Sequence, residues 1–316
     1  AIRAKGEANL TDSDRQNYID SYMNSVAVIG ALGNMKNKEA IPVLRDYLDD
    51  SDLAQAASVA LGRLGDTESL DRMLANIEKT KTIDLSGYGD KGFVRIVEEI
   101  DKPGVKSDRK TALVKQISGS RSPERKRLLK ELALEHKDLM VRERASQALL
   151  NSMLVNSEAG DAAFAAELLK KTKNEGGGYW AMAMFAGCYG AAQTKPDAAG
   201  VTLLLDVLKS ASEEPTRQLA AKSIGTLKIS EALPYLQDCI QTDKNKAIRG
   251  ECQSAYWEIS GTIPPVFAEE DAQYFERYTH ENGTKEFYEQ FPDTDPVKKR
   301  YIAKVKALQE YRLMHK

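Results

Sequence analysis

Histidine, cysteine and tryptophan are scarce in this chain of 316 residues, which holds three, three and two of them. Each shortage excludes something. His136, His280 and His315 lie far apart in sequence, and no metal-ligand spacing joins them. Cys188, Cys239 and Cys252 form an odd set with no Cys-x-x-Cys pair, so neither a disulfide framework nor a zinc cage is signalled. A Cys239–Cys252 bridge fits the count but is not required by it; the expectation is three small buried apolar residues. No run approaches the ~18 apolar residues of a membrane-spanning helix, because even Tyr179 to Ala192 is short and broken by glycine. A large charge of either sign is also missing. Lys and Arg number 45 against 47 Asp and Glu, which argues against a nucleic-acid partner.

Catalytic signatures are absent too. There is no Gly-x-Ser-x-Gly, His-Glu-x-x-His or dinucleotide fingerprint, and the carboxylates are spread over turns and polar faces. No catalytic residue, metal or cofactor is expected. With 42% hydrophobic and 29% charged residues, the composition is that of a soluble folded chain. The start at Ala1 suits a processed, exported protein slightly better than a cytoplasmic one, but Met excision or a cloned fragment fits as well.

What is present is a repeat. Ala31-Leu32-Gly33 followed by Glu39, Ala40, Ile41, Leu44 and Leu48 returns 29 residues later as Ala60-Leu61-Gly62 with Glu68, Ser69, Leu70, Met73 and Ile77. A third copy reads Ile224-Gly225, Glu231, Ala232, Leu233, Leu236 and Ile240, and Pro234 matches Pro42. Upstream of the glycine runs a second rule with apolar or small residues at i, i+4, i+7 and i+8. It is seen in Val141, Ala145, Ala148 and Leu149, in Ile248, Cys252, Ala255 and Tyr256, and in Leu53, Ala57, Ala60 and Leu61. That spacing lays one stripe along a helix, and its small members let a neighbouring helix come close.

Each unit is therefore expected to be an antiparallel pair, such as a helix over 39–48, a turn with Asp49, Asp50 and Asp52, and a second helix over 53–64. One pair cannot bury its own face. Stacked pairs can, which makes the fold class all-α, an α-solenoid with one surface lined by the second helices. The Asp before a second helix is placed to cap it, and Asp138 lies four residues before Arg142, where their charges can meet.

The pattern resembles HEAT repeats, in the short variety named for phycobilisome lyase subunits, over approximately 18–80 and 120–262. The resemblance implies a curved superhelix used mostly as a binding scaffold, and its motif residues are packing residues. A bilin lyase-type subunit and a helical-repeat DNA glycosylase are the enzyme alternatives. The glycosylase would draw on Trp180 and Trp257, against an unhelpful overall charge.

The expected organisation is a lead segment over 1–17, repeats over 18–80, an insertion or degenerate repeat over 81–110, repeats over 111–263, and an aromatic-rich extension or cap over 264–316. In the insertion, Ser86-Gly87-Tyr88-Gly89-Asp90-Lys91-Gly92 suggests a flexible loop before a helix over 93–100 that stops at Pro103-Gly104. Gly176-Gly177-Gly178 before Tyr179-Trp180 is a second break, feeding a helix in which Met182 and Met184 are core filler. Ser122-Pro123-Glu124 starts a helix that carries a basic cluster, Arg121, Arg125, Lys126, Arg127 and Lys130, interleaved with acids. A last helix is expected from Asp295 or Pro296 to about Met314. Aromatic anchors suit a protein partner or self-association, and the candidates are Tyr88, Tyr179, Trp180 and Trp257.

Overall fold

The structure, a computed structural model, describes residues 11–77, 84–117, 122–155, 157–264 and 289–314. Phe267, Tyr274, Phe275, Tyr278, Phe287, Tyr288, His280, His315 and Arg121 lie outside the described residues. The described chain is α-helical with short 3-10 turns and contains no strand, and it divides into two compact units that meet at Leu149/Leu150.

The first unit contains α1 (Asp12–Asn34), α2 (Ile41–Asp46), α3 (Ala54–Leu64), α4 (Thr67–Ala75), α5 (Gly89–Asp101), α6 (Ser107–Ile117), α7 (Pro123–Glu135) and most of α8 (Leu139–Val155). The second contains the end of α8 and then α9 (Asp161–Thr172), α10 (Gly178–Ala192), α11 (Ala198–Ser210), α12 (Glu214–Thr226), α13 (Leu233–Thr242), α14 (Lys246–Ser260) and α15 (Pro296–Met314). Within each unit helices pack on their sequence neighbours, α2 on α3, α5 on α6, α9 on α10, α11 on α12 and α13 on α14. Alternate helices also pack on each other, α1 on α3 and α10 on α12 on α14. This is the packing of an α-solenoid.

The repeat's glycine is where those alternate helices touch. A Cβ on Gly33 would lie 2.8 Å from the Cα of Ala60, and one on Gly225 would lie 2.7 Å from the Cα of Ala255. At Gly62 the neighbour is the backbone of Gly87 and Tyr88. Three residues past each of these glycines the chain turns left-handed, at Lys36 (φ 55°), Gly65 (φ 72°) and Lys228 (φ 50°). Amides just beyond then reach back into the helix end, Asp66 N–H to the Leu61 carbonyl and Ile229 N–H to the Ile224 carbonyl, each at 3.1 Å.

Turn chemistry closes the hairpins at the other end. The first helix of the first pair is shorter than expected, because Lys38–Ala40 and Tyr47–Asp49 are 3-10 turns around α2. Asp50 accepts the N–H groups of Asp52 and Leu53 ahead of α3, Asp138 accepts that of Met140 at the start of α8, and Asn245 that of Ala247 at the start of α14. Asp138 does not spend its charge as the spacing suggested: its carboxylate meets Lys110 at 2.8 Å, while Arg142 donates to the carbonyl of His136 at 3.0 Å. Arg249 donates in the same way to the carbonyl of Asp243 at 2.9 Å, and Arg217 to that of Leu208 at 3.1 Å. An arginine of the second helix thus satisfies an orphan carbonyl at the end of the first.

The insertion differs from a flexible loop. Leu85–Tyr88 is a 3-10 turn seated on α3, and Gly89 already opens α5, four residues before the expected start. The cysteines also need a correction. All three are buried, but Cys239 and Cys252 are joined by a disulfide that ties α13 to α14, and only Cys188 is a free thiol. Cys239 sits on the apolar face of α13 beside Leu236 and Ile240, and Cys252 occupies the small-residue position of α14, so the two faces that make the hairpin bring the sulfurs together.

Candidate functional site

The four aromatic candidates fall in different surroundings. Gly177, with φ of 98°, turns the chain into α10, and Gly178 packs so tightly that a Cβ would lie 2.9 Å from the Thr172 carbonyl. The turn leaves Tyr179 and Trp180 in the first turn of α10. Behind them Ala181, Met182, Met184 and Phe185 are fully buried, which anchors the helix and leaves the pair at its mouth. The two rings meet edge to face, 5.2 Å between centroids at 82°. Tyr179 is 38% exposed and Trp180 is half-buried. Among the described residues neither the phenol hydroxyl nor the indole N–H has a hydrogen-bond partner.

Tyr88 is engaged within the protein. Its hydroxyl donates to the carbonyl of Asp66 at 2.9 Å, and burial, with the Asp66 charge nearby, pushes the phenol above its ordinary value. Asp66 is itself clasped by Arg45, Nε to Oδ2 at 2.9 Å and Nη2 to Oδ1 at 2.6 Å. Burial alone would raise that carboxyl, but the guanidinium holds it below the ordinary carboxylate range. Arg45, Asp66 and Tyr88 together pin α2, the α3–α4 junction and the 3-10 turn.

Trp257 is covered by the last helix. It packs with Ile263 and Tyr311 around Leu308, and the neighbouring Glu258 receives Lys304 at 2.9 Å together with Arg300. Lys304 is only 2% exposed. Burial pushes the Glu258 carboxyl up, yet the two cations outweigh it and hold the group below the ordinary value. The placement of α15 at Pro296–Met314 agrees with the expected start and stop.

The basic cluster on α7 is not a cationic patch. Ser122 caps the helix and Pro123 occupies its first turn; Arg125 and Lys126 are buried, and Arg127 is bonded to Glu124 and Glu131. Among the described residues no group of histidine, cysteine and carboxylate side chains is gathered to hold a metal ion, and no helix is long and apolar enough to cross a membrane.

Helix pairs in which the second members lie side by side, closed at a repeated glycine, define a helical-repeat protein. Within it, residues 20–84 match the family model for HEAT repeats. No curated protein matches the chain.

Proposed function

We propose that the protein is a non-catalytic scaffold that binds another protein, or a second copy of itself, through the surface of its second helices and the adjoining loops. The observation that carries this reading is the Tyr179–Trp180 pair, an aromatic edge-to-face couple held at the mouth of a rigid helix with its polar atoms unspent. Large rings of this kind supply contact area with little conformational cost, and they need one polar contact from a partner. Tyr88 and Trp257 carry less of the interface in this reading, because each already serves an internal contact. The Cys239–Cys252 bridge supports an oxidising, exported place of work.

The test is affinity purification from the native source with wild-type and Trp180→Ala protein, alongside sedimentation of the pure chain. The reading expects a protein or a dimer that the wild type retains and the variant loses, with thermal stability unchanged. Equal retention by both, or a parallel fall in stability, would reassign Trp180 to packing.

A further inference from the structure

Arg125 is a buried cation to which the described residues bring no counter-charge. It is 4% exposed, on the face of α7 that also buries Leu128, Leu129 and Leu132. Its Nε is enclosed without an acceptor, whereas the Nη nitrogens are not sealed in, and among the described residues no ion pair or side-chain hydrogen bond meets the guanidinium. The acids beside the first turn are engaged by other donors. Glu124 is bonded to Arg127 at 2.8 and 2.9 Å, and Asp90 of α5 receives the Ser122 hydroxyl. Burial accordingly lowers the pKa of Arg125, while hydrogen-bonded carboxylates raise those of Arg45 and Arg127.

The position of the residue adds to the cost. Arg125 is the third residue of α7, where the aligned peptide dipoles already make the helix end positive and a cation is disfavoured. A helical side chain leans towards the N-terminus of its helix, so the arginine covers the first turn. In that turn Pro123 has no N–H, the Arg125 N–H goes to Ser122 Oγ and the Lys126 N–H to the Ser122 carbonyl. The Glu124 N–H has no acceptor among the described residues. A buried charge without a partner is strongly unfavourable, and a negative group at this helix end would relieve the charge, the dipole and the open amide together.

We propose that Arg125 and the first turn of α7 form a binding site for a compact oxyanion, a phosphate or a carboxylate. The planar guanidinium takes two oxygens of the anion side by side through its Nη nitrogens, and the Glu124 N–H supplies a further donor. A neutral or cationic ligand would leave the charge uncompensated. The site belongs to the first unit and does not rest on the Tyr179–Trp180 surface, so either reading survives failure of the other.

The test is thermal unfolding of the full chain while sodium phosphate or sodium acetate replaces sodium chloride in millimolar steps at constant ionic strength. Tm is expected to rise and level off with one or both anions, as mass action requires of a ligand that binds the folded chain, and the anion that acts at the lower concentration identifies the oxyanion. Arg125→Met is expected to abolish the rise. In chloride alone this variant is expected to be at least as stable as wild type, because the unpaired charge is gone. In the wild-type protein the Arg125 Nε–H resonance is expected to move along the same titration, a readout that needs no variant and that a general salt effect would not concentrate on one residue. No saturable rise with either anion, an equal rise in Arg125→Met, a variant less stable than wild type in chloride, or a stationary Nε–H signal would each overturn the proposal.

Discussion

Gly225 faces Ala255 so closely that a methyl group added to the glycine would come within 2.7 Å of the alanine Cα, a backbone atom that has no room to retreat. Gly33 stands in the same relation to Ala60. Gly225→Ala is therefore expected to destabilise by about 1–3 kcal/mol, the usual range for overpacking. Gly30, also inside a helix, has nothing within 4 Å of a built Cβ, so Gly30→Ala is expected to stabilise by about 0.5–1 kcal/mol through helix propensity. Urea denaturation of the two variants checks the pair, and equal effects would refute close helix approach as the reason for the glycine.

Glu258 with Lys304 and Arg300 forms the clasp of the last helix. Glu258→Ala strands Lys304, and removal of one partner of a buried pair costs about 3–5 kcal/mol. In a Trp180→Phe background the loss is visible as a red shift of Trp257 emission, because Trp257 loses its cover at Leu308. Acid acts in the same direction. The folded carboxyl sits below its ordinary value, so its contribution is complete above about pH 4.3 and is lost as pH falls through the lowered value. Wild-type emission should shift in that acid range, while Glu258→Gln should show no such step.

The disulfide closes a short loop between α13 and α14 with a sequence separation of 13. For a loop of this size reduction is expected to lower stability by about 3 kcal/mol. Thiol titration of the denatured, unreduced chain should find Cys188 alone. Three titrating thiols would remove the bridge and the support it gives to an oxidising compartment.

The sequence exposed the elements built on repeated packing. The end of α3 at Leu64, the Ser122 cap of α7 and the span of α15 are visible because apolar stripes, cap residues and prolines are local signals. Features that depend on a neighbour were hidden. Lys36 and Lys228 hold left-handed positions where glycine is the usual sign, so two of the three helix ends carry no mark in the residue type. Asp138 has Arg142 one turn away, yet Lys110, 28 residues earlier, reaches it from the preceding pair. Trp257 and Tyr88 look like free aromatics until the segments that cover or receive them are placed. The disulfide had a signal that spacing rules overlook: both cysteines occupy core-facing positions of paired helices. The pairing of His136 with Asp101 gave none, because it depends on α5 lying beside α7.

The helix that lies over Trp257 has an implication for the end of the array. A repeat array ends on a greasy surface to which another hairpin would ordinarily attach, and here α15 occupies part of that surface with Leu308 and Tyr311. A chain shortened at Ile263 would lose Leu308 and Tyr311 from beside Trp257 and open the outer face of α14 to water.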